Sequence, residues 1–198
     1  MARAPRVDVG DLVYHVINRA NGRMTIFEEE WMYQDFEYLL NEMRELYSVR
    51  ILAYTIMPNH WHLLLYPRQD GDLSAGMGWL GTAHTRRYHA QTHTIGGGHL
   101  YQGRYKSFLV DDDTYLLTVI KYIERNPVRA KLSKTAESWR GVSKVHQNKE
   151  HSSQNLQHHF HAITPRGSTN QNLLKNWPLF EPQSSRVYHM EGSRGVII

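Results

Sequence analysis

Two apolar runs, Arg50 to Met57 (RILAYTIM) and His60 to Tyr66 (HWHLLLY), are separated only by Pro58-Asn59. Proline has no backbone donor and a fixed φ, so this dipeptide ends one strand and turns the chain into the next. A hairpin is therefore predicted at the middle of the chain, and the other segments have to be arranged around it. Leu12 to Arg19 (LVYHVINR) alternates β-branched and aromatic residues with polar ones and reads as an earlier strand, ended by an Asn21-Gly22 turn. Glu28 to Tyr47 carries Trp31, Phe36, Leu39, Leu40, Met43, Leu46 and Tyr47 at helical spacing among acidic residues, which predicts an amphipathic helix. Its acidic first turn suits the positive end of the helix dipole.

A second helix is predicted over Leu73 to Gln91, with Leu73, Met77, Leu80, His84 and Tyr88 on one face. Gly76, Gly78 and Gly81 weaken it by roughly 1 kcal/mol each relative to alanine, so they either admit a close neighbour or fray the helix. After Gly96-Gly97-Gly98, residues His99 to Val110 read as two short strands around Gly103. Asp111, Asp112 and Asp113 are N-cap candidates for a third helix, Thr114 to Arg125, which stops at Asn126-Pro127 because a residue before proline is pushed out of the helical region. This order of elements predicts the α+β class, as a ferredoxin-like antiparallel sheet with helices on one face.

The chain has 198 residues, one domain plus an extension at about 150 residues per domain. The domain is expected over residues 1–145. Residues 146–198 are rich in His, Ser, Asn and Gln with few aliphatics, and are expected to form a partly disordered extension. The absence of cysteine removes disulfides, zinc ribbons, iron–sulfur clusters and thiol catalysis, and leaves any metal to His, Asp, Glu, Asn or Gln. No stretch approaches the ~20 apolar residues of a membrane span, and the N-terminus has no secretory pattern. A cytoplasmic protein without membrane contact is expected. The net charge is +4, and Arg104, Lys106, Lys121, Arg125, Arg129, Lys131 and Lys134 cluster in mid-chain, a footprint that suits a phosphate backbone.

Three motifs bear chemistry. His60 and His62, two apart on a strand, project from one face about 6.6–7 Å apart along it and can share a metal ion. Trp61 points the other way, towards Leu63 and Leu65. With 13 histidines in the chain, a solvated pair on a sheet face is the ordinary alternative. Tyr122 and Asn126 are neighbours on one helix face. Together they present a phenol and a neutral oxygen suited to Mg²⁺ or Mn²⁺, or else form a structural stripe with a C-terminal Asn cap. The run Gly98-His99-Leu100-Tyr101-Gln102-Gly103-Arg104-Tyr105-Lys106 interleaves rings and cations. That composition suits stacking on bases and neutralising phosphates, and is equally that of an ordinary amphipathic hairpin.

The segments Tyr14 to Arg19, Ala53 to Leu64, Gly98 to Lys106 and Tyr122 to Ala130 together resemble the single-tyrosine HUH transposases, and among them most closely the REP-associated tyrosine transposases of bacteria. The resemblance covers roughly residues 10–145 with the motifs in order. It implies an enzyme on a ferredoxin-like fold that processes single-stranded or hairpin DNA, with His60 and His62 binding a divalent metal (Mg²⁺ or Mn²⁺), Asn126 assisting, and Tyr122 as the nucleophile. It also implies a 5′-phosphotyrosine intermediate, a free 3′-hydroxyl and rejoining of strands. The implied substrate is a short imperfect palindrome beside a tetranucleotide. Arg104, Lys106, Arg125 and Arg129, with Arg19 and Arg23 behind them, are the expected DNA contacts. A monomer is expected over a homodimer. Three other readings stand beside this one: a replication initiator or relaxase, a domesticated hairpin-binding protein without cleavage, and a metalloprotein unrelated to nucleic acid.

Overall fold

The computed structural model describes residues 7–110 and 113–143. The expected extension at 146–198 and the cap candidates Asp111 and Asp112 lie outside the described residues. The elements in chain order are β1 (Val13–Arg19), a 3-10 turn (Asn21–Arg23), α1 (Glu30–Leu46), β2 (Val49–Met57), β3 (His60–Pro67), α2 (Asp72–Gln91), β4 (Lys106–Val110), α3 (Asp113–Glu124) and α4 (Asn126–Arg129). The four strands form one antiparallel sheet in the order β2-β3-β1-β4. Pro58-Asn59 is the turn between β2 and β3, as its chemistry requires.

Strand β3 is buried along nearly its whole length, so the sheet needs cover on both faces. Trp61, Leu63 and Leu65 face α1 and α2 in a large core with Tyr14, Val16, Phe36, Leu40, Met43, Met77 and Leu80. Leu64 and Tyr66 face the other way, into a second core with Val13, Leu52, Ala53, Leu116, Val119, Ile120 and Ile123. The expectation of helices on one face therefore holds for α1 and α2, while α3 covers the opposite face. The cause is the apolar LLL run, which offers a hydrophobic side chain to each side.

Helices α1 and α2 meet where Gly76 faces α1, and a Cβ there would stand 3.3 Å from Met43 Cγ. Gly76 is thus a glycine that admits a neighbour, whereas Gly78 and Gly81 face open space. The Arg87 guanidinium ties the same pair through Asp35 at 2.7 Å and Glu42 at 3.8 Å. The two short strands expected over His99–Val110 reduce to one. Only β4 pairs along its length, and Tyr101 makes a single bridge to Ala20. The Tyr101 ring is drawn into the core, where Trp61 Nε1 donates to its hydroxyl at 3.0 Å and His84 Nδ1 lies 2.6 Å away. Those polar atoms are satisfied by one another once buried.

Beyond α4 the chain returns to the open edge of β2. Ile56 N donates to the Gly141 carbonyl at 2.7 Å, Ser143 N to the Tyr54 carbonyl at 3.1 Å, and Trp139 Nε1 to the Ile56 carbonyl at 2.8 Å. The approach is close enough that a Cβ on Gly141 would lie 2.7 Å from Ile56 O and 3.0 Å from Tyr33 Cδ1. Gly141→Ala is therefore expected to destabilise the protein by about 1–3 kcal/mol, the usual cost of overpacking. Urea unfolding of the two proteins measures this, and equal midpoints and slopes would contradict the close approach.

Candidate functional site

Strand geometry alone places His60 and His62 on one face of β3, and their ring centroids lie 5.2 Å apart at 72°. Each ring has its Nδ1 engaged. Asn59 Nδ2 donates to the Arg23 carbonyl at 3.2 Å, which turns Asn59 Oδ1 toward His60 Nδ1 at 2.7 Å. An amide oxygen only accepts, so Nδ1 of His60 carries the proton and its Nε2 the lone pair. His62 Nδ1 lies 3.0 Å from Nε2 of His15, and the two rings stack at 5.2 Å. When His62 Nδ1 donates in that bond, both imidazoles offer Nε2, the pattern in which an outer partner orients a ligating histidine.

Burial lowers the pKa of all three rings: His15 and His60 to about 4 and His62 to about 3. For His62 the charges of His15, His60 and Arg19 add to the effect of burial. The rings are therefore neutral at pH 7, the form in which imidazole ligates a metal.

The second half of the site comes from α3. Leu116, Val119, Ile120 and Ile123 anchor this helix on the sheet face that carries the histidines. Its end is set by a buried bond in which Thr55 Oγ1 donates to the Ile123 carbonyl at 2.5 Å. Thr55 is the β2 partner of His62 in the ladder, so the rung that holds His62 also holds the last turn of α3. Tyr122 precedes Ile123 and stays 39% exposed. Its ring stands edge-on to His62 at 5.8 Å and to His15 at 6.2 Å. Pro127 falls in the first turn of α4, where its missing donor costs nothing, and this short helix brings the Arg129 guanidinium 5.3 Å from the Tyr122 ring.

Asn126 opens α4, and its side-chain nitrogen is buried with no hydrogen-bond partner among the described residues. Among the described residues there is also no group of three or more His, Asp or Glu side chains arranged to hold a metal. The histidine pair thus supplies two neutral nitrogens. That set fits an ion that keeps its other positions for phosphate oxygens and water.

Of the six expected DNA-contacting cations, Arg129 lies against Tyr122, Arg19 lies opposite His60, and Lys106 lies opposite Ile17 on the same sheet face. Arg23 sits in the 3-10 turn, Arg104 in the loop before β4, and Arg125 between α3 and α4, all three exposed. None of the six forms an ion pair among the described residues. The rings expected to stack on bases in the Gly98–Lys106 run are not available, because Tyr101 and Tyr105 are only 9% and 8% exposed. Sequence reasoning did not find His15, Asn59 or Thr55 as site residues. His15 lies in the same alternating phase of β1 as Arg19, which was its one signal, and Thr55 had none.

The family model described as "Transposase IS200 like" matches residues 8–126. Among solved structures, the chain is similar to a REP-associated tyrosine transposase bound to a REP hairpin. That likeness has 17% identity and a TM-score of 0.60, and covers 73% of this chain and 83% of that one. It is also similar to a putative transposase from Deinococcus radiodurans R1, at 23% identity and a TM-score of 0.45, over 63% of this chain and 97% of that one. The first likeness supports the α+β fold described above. None of the curated proteins matches the chain.

The depressed imidazoles predict a pH profile. An unfolded histidine charges below about pH 6.5, whereas His15 and His60 resist until about 4. The stability they contribute is present above 6.5 and is lost as pH falls toward 4, because the unfolded chain then binds more protons. In an NMR titration of metal-free protein from pH 8 to 5, these rings should keep neutral-form shifts. A midpoint near 6.5 for any of them would contradict their burial.

Proposed function

Because this chain belongs to the IS200-like transposase family, we propose that it cuts and rejoins single-stranded DNA at hairpin-forming palindromes, with Tyr122 as nucleophile. The observation that carries this reading is the Tyr122 ring standing edge-on to His62, on the sheet face that also holds His60. The two histidines come from β3 and Tyr122 from α3, and the Thr55–Ile123 bond ties α3 to β2, the strand paired with β3. The hairpin in the solved structure of the REP-associated transposase supports the choice of substrate.

His60 and His62, with Asn126 as a third candidate from the start of α4, would hold a Mg²⁺ or Mn²⁺ ion. When bound, such an ion polarises a non-bridging phosphate oxygen and orients the phosphodiester. The residues of the chain do the rest. Asn59 fixes His60 so that it presents Nε2, and His15 does the same for His62 when His62 Nδ1 is the donor. Tyr122 Oη attacks phosphorus, the bond from phosphorus to the 3′-oxygen breaks, and the phenolic proton is accounted for on the released 3′-hydroxyl. The 5′-phosphate is left on Tyr122, and its bond energy allows a second 3′-hydroxyl to reverse the step and join strands. Arg129 is the cation set against Tyr122, and Arg19 and Lys106 flank the same face. Arg23, Arg104 and Arg125 serve the DNA backbone further out.

The test is a denaturing gel of the protein mixed with a labelled hairpin oligonucleotide taken from palindromes flanking its own gene, with Mn²⁺ or Mg²⁺. A metal-dependent protein–DNA adduct is expected, and it should be absent in Tyr122→Phe and in His60→Ala. An adduct that survives Tyr122→Phe would remove Tyr122 as nucleophile. Binding without an adduct under every metal tried would favour a hairpin-binding protein that does not cut. Arg104→Ala should weaken binding at all sequences and reduce the slope of log affinity against log salt by about one. An unchanged slope would remove Arg104 from the phosphate contacts.

A further inference from the structure

We propose that Phe108 is the platform on which one unpaired base next to the scissile phosphate stacks. This inference rests on the strand-cleavage reading above. Phe108 lies on β4, an edge strand, and pairs with His15 in the ladder, so its ring projects from the face that carries the histidines. The ring is 6.3 Å from His15 and 51% exposed.

Two residues along the same face of β4, Val110 is 7% exposed because α3 covers it. Phe108 falls outside that covered cluster and is left as a bare ring at the border of the site. Exposed apolar residues are common on protein surfaces, and this one is set apart by its neighbours. Tyr122 stands 6.2 Å from the same His15, so the proposed nucleophile and the Phe108 ring flank a single imidazole. A nucleotide with its phosphate at Tyr122 would turn its base toward the sheet edge, where Phe108 stands.

Lys106 is exposed, two residues from Phe108 on the same face, and supplies a cation for the adjoining phosphate. A flat ring beside a cation is the pairing that single-strand binding uses, and it tolerates any base because every base has a π face. The rings Tyr101 and Tyr105 are buried in the core, so this role passes to Phe108.

The experiment measures binding of a fluorescent hairpin oligonucleotide with single-stranded flanks, with divalent metal omitted so that no strand is cut. In a series of these probes, each flanking nucleotide in turn is replaced by an abasic unit. For the unaltered protein, one abasic position should weaken binding about five- to a hundredfold, the range of one base–aromatic stack. Phe108→Ala should lose a similar factor on the intact probe and lose nothing more at that position. Phe108→Trp should restore both the affinity and the abasic penalty, and the salt slope should stay unchanged throughout.

An abasic penalty that is the same in Phe108→Ala as in the unaltered protein would overturn the platform and leave the strand-cleavage reading intact. Phe108→Ala binding every probe as the unaltered protein does would overturn it equally. A protein that binds no probe at all and forms no adduct would overturn the strand-cleavage reading, and the platform with it.

Discussion

The hydrogen bond from Thr55 to the Ile123 carbonyl joins the two parts of the molecule that have to agree. On one side is a sheet whose central strands are apolar on both faces, and on the other is a helix that closes the second face and carries Tyr122. A buried hydroxyl without a partner would cost on the order of 1–3 kcal/mol, so this contact discriminates against other positions of α3 on the sheet. Because Thr55 is the ladder partner of His62, the same rung sets how far the phenol stands from the imidazole pair. The apolar contacts of Leu116, Val119, Ile120 and Ile123 supply the adhesion, and the single polar bond supplies the register.

The site is made neutral by being buried. Three imidazoles within ring contact would repel one another if charged, and removal from water already disfavours the charged form. The result is a cluster of uncharged nitrogens on a face bordered by Arg19, Lys106 and Arg129, cations without acidic partners among the described residues. Uncharged imidazoles inside a cationic border make a face that suits an anion. The rear of the same strand is fixed with equal care. Trp61, between the two histidines in sequence, is held through Tyr101 by His84, itself fully buried and stacked on Phe27. The histidine pair is thus held from behind by a packed core and from the side by Asn59 and His15.

Much of this was legible in the residues. The Pro58-Asn59 turn, the amphipathic α1 and the shared face of His60 and His62 all follow from local rules that act over a few residues, whereas α3 ends at Glu124 and Asn126, the residue before proline, opens α4 instead of leaving the helical region. The errors have a common cause. Tyr101 and Tyr105 look like surface rings because they alternate with Arg104 and Lys106, and nothing local says that Trp61 and His84 claim the Tyr101 hydroxyl. Phe108 drew no notice as part of an ordinary strand, and its exposure depends on where α3 ends.

The sequence by itself determined the order of the elements from β1 to α2, the hairpin, and the pairing of His60 with His62, since strand period, helix period and proline chemistry are properties of neighbouring residues. Only the tertiary structure decided that α3 takes the opposite face from α1 and α2, that His15 and Asn59 orient the pair, and that Tyr122 stands against His62. Those outcomes depend on strand register and on which side of the sheet a helix covers, and both are set by contacts between residues far apart in the chain.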